Sequence, residues 1–284
     1  MLIHSFFDKD TNTLTYIIYS LATKKAVVVD PVLNFDYASG TVSTKEVELI
    51  DEFLKANNLE LTYIFETHVH ADHLSGASSL KKFYPNAKIV IHENIKQVQV
   101  VFNQAYRSQV KEDGSQFDLL TREGETFKVA DDLEVEIIET PGHTPACMSL
   151  YVNKEALFVG DAIFMPDMGT GRCDFPKGSA DDLYESIQKI YALDDNCTIY
   201  VGHDYGPGGR EIMFKTTVGK QKRNNIQCKA STSKDEFLSF RTTRDAHLSS
   251  PRLLIPSIQY NMNGGEFIFN EEDGAPFLKV PVKL

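Results

Sequence analysis

Two patterns of hydrophobic and polar positions alternate along this chain. Runs of β-branched and aromatic residues predict strands, and segments with an apolar residue every three or four positions predict amphipathic helices. The segment 45–57, for example, places Val47, Ile50, Phe53 and Leu54 on one helical face. Strands are predicted at 14–19, 26–31, 61–65, 87–91, 157–161 and 198–204, a hairpin at 127–138, and further helices at 92–104 and 180–193.

The pattern changes near Ser231. Residues 237–247 fit a helix, but residues that break regular structure follow at Ser249–Pro251, Pro256, Gly264–Gly265 and Pro281. A segment this short and this often interrupted by proline is a poor candidate for an independent fold. We therefore predict a main domain over 1–230 and a C-terminal tail over 231–284 that packs on it.

One segment carries the clearest chemistry. Directly after the apolar run 61–65, the chain places His68, His70, Asp72 and His73 within six positions. Alternation along an extended chain would let His68 and His70 point together, and a turn would bring Asp72 and His73 behind them. A carboxylate beside neutral imidazoles suits zinc or iron better than calcium or magnesium. The segment predicts a metal-binding loop at a strand end.

The same chemistry recurs at three later strand ends. His143 lies in a Pro-Gly turn, and Asp161 and His203 each close an apolar strand after a glycine. The residues allow two adjacent metal positions, with Asp161 able to reach both. One position would use His68, His70 and His143, and the other would use Asp72, His73 and His203. His4, His92 and His247 follow no such pattern and are predicted not to be ligands.

The composition and the net charge of the chain restrict the class of protein and the kinds of partner that we expect. A chain of 284 residues with 42% hydrophobic and 24% charged residues is ordinary for a globular protein. No apolar run is long enough to span a bilayer, and the N-terminus lacks a signal-peptide pattern. Four cysteines without a CxxC pair favour reduced thiols in a cytoplasm. The net charge of −11 argues against nucleic acid and anionic membrane as partners.

The order of these motifs, over about 13–203, resembles the metallo-β-lactamase superfamily. The resemblance implies an α+β fold, a four-layer αβ/βα sandwich. Two mixed β-sheets would face each other with helices outside, and the metal site would lie along one edge of the sheets.

A second set of motifs resembles one branch of that superfamily. Met168–Pro176, which reads MGTGRCDFP, and Gly202–Tyr205 are similar to the persulfide dioxygenases. Members of that branch oxidise a thiol persulfide with O2 to sulfite and free thiol. The similarity continues through 179–187 and, more loosely, through Pro251–Ser257, which is typical of bacterial proteins described as β-lactamase-like hydrolases.

The resemblance also implies residue roles. One Fe(II) would be held by His68, His143 and Asp161, the two-histidine, one-carboxylate arrangement that leaves coordination positions open. Arg172 would hold the anionic persulfide or shape its loop with Asp174 as ion-pair partner. The remaining roles are those of groups around the metal: His70, Asp72, His73 and His203 would orient the ligands, Tyr205 would donate a hydrogen bond, and Cys173 would be structural.

Two other functions stay open. A dinuclear zinc thioester hydrolase of the glyoxalase II type would use every ligand present, with two Zn(II) per chain, and a non-catalytic metal-dependent sensor would use the same scaffold. The carrier thiol is glutathione, coenzyme A or a smaller thiol. Either its binding or a solvated helix face would explain the basic residues Arg210, Lys215, Lys220, Lys222 and Arg223. A homodimer is the default assembly.

Overall fold

The structure, a computed structural model, describes residues 1–282. Its strands are β1 (Leu2–Asp8), β2 (Thr13–Tyr19), β3 (Lys25–Val29), β4 (Val32–Asp36), β5 (Thr41–Ser43), β6 (Glu60–Phe65), β7 (Leu74–Ser75), β8 (Lys88–His92), β9 (Leu119–Thr121), β10 (Thr126–Ala130), β11 (Leu133–Glu139), β12 (Met148–Val152), β13 (Ala156–Phe158), β14 (Thr198–Tyr200), β15 (Lys215–Thr217), β16 (Ile268–Phe269) and β17 (Pro276–Phe277). Its helices are α1 (Lys45–Ala56), α2 (Ala77–Phe83), α3 (Ile95–Tyr106), α4 (Ala180–Tyr191), α5 (Val218–Asn224), α6 (Lys234–Asp245) and α7 (Leu254–Asn261), with a short 3₁₀ turn at Pro207–Gly209.

Two mixed sheets form the centre of the molecule. In the first, the order is β1-β2-β3-β6-β8-β9, with β1 to β3 antiparallel and β3, β6, β8 and β9 parallel. In the second, the order is β10-β11-β12-β13-β14-β15, where only β13 and β14 pair in parallel. Parallel neighbours need crossover connections, and α1, α2, α3 and α4 lie in these connections.

The central strands of the sheets are buried on both faces, whereas β10 and β11 expose residues on one face. Tyr16, Phe65, Val135 and Phe158 belong to one apolar cluster that joins the inner faces of the two sheets. On the outside, α1 turns Val47, Ile50 and Leu54 toward the first sheet, and α4 turns Leu183, Ile187 and Ile190 toward the second. Burial on both faces explains why β2 and β3 are almost continuously apolar. The α+β, four-layer αβ/βα sandwich is confirmed.

Most predicted elements occur within a few residues of their expected bounds, and two expectations were wrong. The helix predicted over 92–104 begins at Ile95, because His92 is the last residue of β8 and pairs with Thr121 of β9. Pro256 does not interrupt regular structure, since it lies in the first turn of α7, where a proline costs no internal hydrogen bond.

The described part of the C-terminal segment, 231–282, packs on the rest of the chain through two helices. α6 contacts α4 and buries Phe237 in the apolar cluster that joins the two sheets and continues under α4. α7 contacts β7 and α3 and contributes Ile258 and Tyr260 to the cluster around the first sheet. Whether this segment can fold by itself stays a prediction. Over residues 1–282, no helix has the length and apolarity to cross a membrane.

Candidate metal centre

All the predicted ligands lie in loops that meet at one edge of the two sheets. The segment 66–73 follows β6, His143 follows β11, Asp161 follows β13, and His203 follows β14. Their side chains come together as two neighbouring groups. The residues that the structure brings together are His68, His70, Asp72, His73, His143, Asp161 and His203.

The geometric reason expected for the histidine pair was wrong. β6 ends at Phe65, so His68 and His70 do not lie on an extended strand. The loop that follows nevertheless brings their ring centroids to 4.1 Å from each other. The convergence is therefore a property of the loop conformation and not of strand alternation.

The first group consists of His68, His143 and Asp161. Their ligand atoms all lie within 4.8 Å of one another, and all three residues are buried. Nε2 of His143 is 3.6 Å from Oδ2 of Asp161. Burial and the neighbouring His70 hold the pKa of His68 well below its usual value, so this imidazole is neutral at pH 7.

The tautomer of each imidazole in this group is set by its other ring nitrogen. Nδ1 of His143 donates to the Arg172 carbonyl at 2.7 Å, so Nε2 keeps its lone pair. The Thr67 hydroxyl donates to Asp30 at 2.8 Å and accepts from Nδ1 of His68 at 3.0 Å. Nε2 of His68 is thus also unprotonated, and both lone pairs are available to a metal ion.

The partners of these atoms provide a test of whether a metal fits. Within residues 1–282, the buried atoms Nε2 of His68, Nε2 of His73 and Oδ1 of Asp161 have no hydrogen-bond partner. Buried polar atoms are almost always hydrogen-bonded. A cluster of imidazole nitrogens and a carboxylate oxygen without hydrogen-bond partners is what a transition-metal site requires, and the donor set fits such an ion.

The second group contains His70, Asp72 and His73, whose ligand atoms lie within 4.8 Å of one another. Nε2 of His203 is 3.4 Å from Oδ2 of Asp72 and 3.3 Å from Oδ1 of Asp161. Asp161 thus lies near His203 as well as in the first group, and its reach to two metal positions stays a prediction. His70 belongs with Asp72 and His73 in this geometry, which differs from the expected assignment of His70 to the first position.

Charge couples Asp72 to His203. Burial opposes ionisation of Asp72, but His203 and His73 outweigh that effect and hold the pKa of its carboxyl well below its usual range. Burial also opposes protonation of His203, but Asp161 and Asp72 outweigh it and raise the pKa of this imidazole. Nδ1 of His203 donates to the Asn12 carbonyl at 3.1 Å, which aims Nε2 at the two carboxylates.

Two buried acids behind the loop were missed by the sequence analysis. Asp30 accepts from the Thr67 amide at 2.7 Å, and its Oδ1 is 3.0 Å from Nε2 of His70 without hydrogen-bond alignment. Glu66 accepts from Ser75 at 2.6 Å, and burial together with Asp30 raises the pKa of Glu66 well above its usual value. The apolar strand that ends in Asp30-Pro31 was the available signal, because the other strand-end acid, Asp161, was recognised in the same way.

Two glycines allow the backbone to approach the ligands closely. A Cβ on Gly171 would lie 2.0 Å from the Asp161 carbonyl oxygen. Gly160 has a φ of +48°, and a Cβ there would lie 2.6 Å from Oγ1 of Thr67. A side chain at either position would displace a ligand or its hydrogen-bond partner. Because Gly171 belongs to the loop 169–176, that loop is a wall of the site.

Arg172 and Asp174 form the expected ion pair. Two guanidinium nitrogens of Arg172 donate to the two carboxylate oxygens, each at 2.6 Å, and a third donates to the Ser249 carbonyl at 2.7 Å. The guanidinium lies 5.1 Å from the ring centre of Phe175, whose ring in turn contacts His143 edge-on. The Arg172 side chain is therefore held in place before any ligand binds.

A cleft of about 450 Å³ opens to the surface from the first group, His68, His143 and Asp161, which we call the metal group from here on. Asp72, His143 and Asp161 form part of its floor. Tyr205, which is 48% exposed, stands at its side and stacks on His203 with ring centres 6.0 Å apart. Further walls come from Phe164, Met168, Thr170, Arg172 and Phe175.

Other candidates lie outside the cleft. Arg210 is bound by Asp167 and Asp204, and the basic residues after it, Lys215, Lys220, Lys222 and Arg223, do not line this cleft. Cys173 is buried, and burial raises the pKa of its thiol to about 12, so it is not a ready nucleophile. The histidines predicted not to be ligands are elsewhere: His4 stacks on Phe53, His92 bonds Glu139, and His247 bonds the Thr243 carbonyl.

Several known proteins are similar to this chain in sequence or in fold. A protein named "Glyoxylase B2" from Dictyostelium discoideum is 46% identical over 282 residues, which cover 99% of this chain and 96% of that protein. "Persulfide dioxygenase ETHE1, mitochondrial" from Mus musculus is 29% identical over 267 residues, which cover 93% of this chain and 89% of that protein. The crystal structure of ETHE1 from Myxococcus xanthus superposes with a TM-score of 0.76 at 29% identity, over 94% of this chain and all 100% of that one.

The family follows from the match to its sequence profile. The profile described as "Metallo-beta-lactamase superfamily" matches residues 9–203, a range that contains every ligand of both groups. The match extends over more than half of the chain, and its last residue is His203. This chain therefore belongs to the metallo-β-lactamase superfamily.

Proposed function

We propose that this protein is an iron-dependent dioxygenase that oxidises a low-molecular-weight thiol persulfide to sulfite and thiol. In the balanced reaction, one persulfide, one O2 and one water give one thiol, one sulfite and two protons. The outer sulfur is oxidised, O2 is reduced, and the bond between the two sulfurs breaks. The thiol leaves with the inner sulfur.

The observation that carries this proposal is the donor set His68, His143 and Asp161. Two imidazoles and one carboxylate face a common point, and the cleft reaches them from one side. An iron(II) ion held there would supply open coordination positions for the persulfide sulfur and O2 and the redox chemistry that joins them. Zinc would not supply that redox chemistry.

The chain's own residues orient that donor set. The Arg172 carbonyl and the Thr67 hydroxyl each fix an imidazole tautomer, and Asp30 holds Thr67. Phe164 and Phe175 line the cleft near the ligands and limit the access of water to the reacting sulfur. Tyr205 stands where its hydroxyl can donate a hydrogen bond to bound substrate.

The contacts of Arg172 favour one of its two expected roles. Asp174 already binds its guanidinium at two points, so its charge is largely balanced. Its carbonyl is the acceptor for His143. We infer that Arg172 mainly shapes the loop and orients His143, and that the anionic part of the substrate is bound by other groups.

The relatives support the same activity without deciding it. One is named a persulfide dioxygenase and a structure of similar fold is named ETHE1, whereas a more similar relative is named a glyoxylase. Iron as the metal, a cytoplasmic location, a homodimer, and a small thiol persulfide with O2 as the only partners are part of the proposal.

A dinuclear zinc thioester hydrolase is the second candidate. The second donor group, His70, Asp72 and His73, favours it, because Asp161 and His203 could bridge the two groups. The relative named "Glyoxylase B2" points the same way. A non-catalytic sensor receives no comparable support, since both donor groups are complete.

Metal analysis and oxygen uptake decide between these candidates. The protein is purified without oxygen, its metals are measured, and it is assayed with glutathione persulfide and with a glutathione thioester. We expect about one iron per chain, oxygen uptake with the persulfide and no thioester cleavage. Two tightly bound zinc ions with thioester cleavage and no oxygen uptake would contradict the proposal.

The same assay applied to variants separates one metal from two. Replacing His68, His143 or Asp161 with Ala should abolish both iron retention and oxygen uptake. The variants His70→Ala and Asp72→Ala should keep iron and lose activity by about 10- to 100-fold, because the side chains that they remove orient the ligands. His247→Ala, an exposed histidine outside the site, is the control. Equal metal loss from both groups would indicate a dinuclear centre.

A further inference from the structure

The cleft above the metal group is lined by more arginines than the mechanism uses. In a protein with a net charge of −11, Arg172, Arg241, Arg244 and Arg252 all line this one cavity. Two of them have carboxylate partners, since Arg172 binds Asp174 and Arg241 binds Asp245. Arg244 and Arg252 have no carboxylate within 4.0 Å in the described range 1–282.

Both unpaired arginines belong to the C-terminal segment. Arg244 is in the last turn of α6, and Arg252 lies just before α7 in the Pro251–Ser257 motif, whose role the proposed activity leaves unexplained. Both side chains are exposed at the mouth of the cleft. A guanidinium offers a planar pair of donors that matches a carboxylate at two points.

A second groove of about 840 Å³ continues from this mouth. Asp10, Thr11 and Arg252 line both cavities and therefore mark the place where they meet. The walls of the second groove carry both signs of charge, with the carboxylates of Asp8, Asp10, Asp36 and Glu46 beside Lys9, Lys45 and Arg252. A groove of mixed charge matches a ligand that has both a carboxylate and an ammonium group better than a chain of phosphates, and Arg252 and Asp10 offer the two signs where the cavities meet.

We propose that Arg244 and Arg252 bind carboxylate groups of the thiol carrier at a distance from its sulfur, and so determine which persulfide the enzyme accepts. The proposal rests on the proposed function, because it assumes that the sulfur lies at the metal group. The carrier is then an amino-acid or short-peptide thiol, and the C-terminal segment supplies the specificity of a site whose ligands come from the main domain.

Rates with charged and uncharged persulfides test this role. The variants are Arg244→Gln, Arg252→Gln and the double variant, with Arg223→Gln as the control for removing one exposed arginine outside both cavities. With glutathione persulfide, kcat/KM should fall about three- to tenfold for each single variant, through KM and with little change in kcat. With the persulfide of 2-mercaptoethanol, which has no charged group besides its sulfur, the same variants should match wild type.

Two further arms make the result specific. Arg244→Lys and Arg252→Lys keep the charge and should recover part of the loss. Coenzyme A persulfide carries phosphates in place of carboxylates and should be the poorer substrate for wild type. If coenzyme A persulfide is preferred and loses most in the variants, the two arginines form a phosphate site and the carboxylate assignment is wrong.

Binding of reduced glutathione by calorimetry separates this proposal from the proposed function, since it needs no oxygen chemistry. Weaker binding in Arg244→Gln and Arg252→Gln, beside a wild type that consumes no oxygen, would overturn the dioxygenase and support the anion site. Identical binding and identical kcat/KM in wild type, Arg223→Gln and the double variant would overturn the anion site, whatever the enzyme's reaction.

Discussion

At the scale of single residues, Asn261 is the least expected part of the site. Its amide nitrogen donates to the carbonyls of His70 and His73, both at 2.8 Å, across 191 and 188 positions of the chain. Its amide oxygen accepts from the Ser75 amide at 2.8 Å. One buried side chain thus satisfies three backbone groups of a loop that lacks a regular hydrogen-bond ladder. We infer that Asn261 fixes the conformation of the histidine loop.

The substitution Asn261→Asp tests this inference. Aspartate keeps an acceptor for Ser75 but removes the donor, which leaves two buried carbonyls unsatisfied. We expect a loss of about 1–3 kcal/mol in the free energy of unfolding for each unsatisfied group, and weaker metal binding. Urea unfolding and a metal dissociation constant measure the two effects. Asn263→Asp, in the same segment but at a less buried position, is the control. Metal affinity equal to wild type in Asn261→Asp would refute a positioning role.

At the scale of elements, α6 is joined to the wall of the site by a buried ion pair. Arg241 is 1% exposed and binds Asp245 within the helix. Arg241 also donates to the Thr170 carbonyl at 3.2 Å, and Asp245 accepts from the Cys173 amide at 2.8 Å. These bonds flank Arg172, whose carbonyl orients His143. A helix outside the match to the family profile therefore supports His143, a candidate metal ligand, through its neighbours.

Breaking this pair should cost far more than breaking an exposed pair on the same helix. Arg241→Met leaves the Asp245 carboxylate buried with the Cys173 amide as a hydrogen-bond donor but without a charged partner, and we expect the free energy of unfolding to fall by about 3–5 kcal/mol. Lys234→Met removes an exposed ion pair with Asp181 and Glu185 and should cost at most about 1 kcal/mol.

Urea unfolding of both variants gives the comparison. The double change Arg241→Met with Asp245→Leu should recover part of the loss, because it removes the unpaired charge. If Arg241→Met is no more harmful than Lys234→Met, the buried pair does not hold the loop.

At the scale of the whole molecule, the C-terminal segment connects the two halves of the sandwich. α6 buries Phe237 in the cluster of the second sheet, and α7 buries Ile258, Tyr260 and Met262 in the cluster of the first. Complete burial of one such side chain contributes about 1.5–3 kcal/mol, and a domain is stable by only about 5–15 kcal/mol. Four such side chains are therefore comparable with the entire stability of the protein.

A chain that ends at residue 230 should consequently fail to unfold cooperatively and should not retain metal. A chain that ends at residue 280 is the matched control, because it keeps the Lys279 backbone bonds to the buried Gln259 side chain of α7 and, of the described residues, loses only exposed ones. Thermal denaturation followed by circular dichroism and metal analysis provide the readouts. Cooperative unfolding of the 1–230 chain, with metal bound, would show that the segment is an accessory to a complete domain.

The sequence alone determined the local chemistry of this protein. His68, His143, Asp161 and His203 could be predicted because each follows an apolar strand. Both the strand and the turn after it are indicated by the local sequence. The types of donor atom, imidazole nitrogen and carboxylate oxygen, can also be read from the sequence, and they restrict the identity of the metal to zinc or iron. The ion pair of Arg172 with Asp174 was also predictable, since the two residues are two positions apart.

Only the tertiary structure decided how these parts work together. Asn261 contacts His70 across 191 positions, and Arg241 contacts Thr170 across 71, so no local pattern could reveal either bond. Pro256 was read as a helix breaker because its place in the first turn of α7 depends on where packing starts that helix. Unpaired charge at Arg244 and Arg252 is likewise a property of their surroundings. Periodicity reports which face of an element is apolar, but which distant element covers it is settled only when the chain has folded.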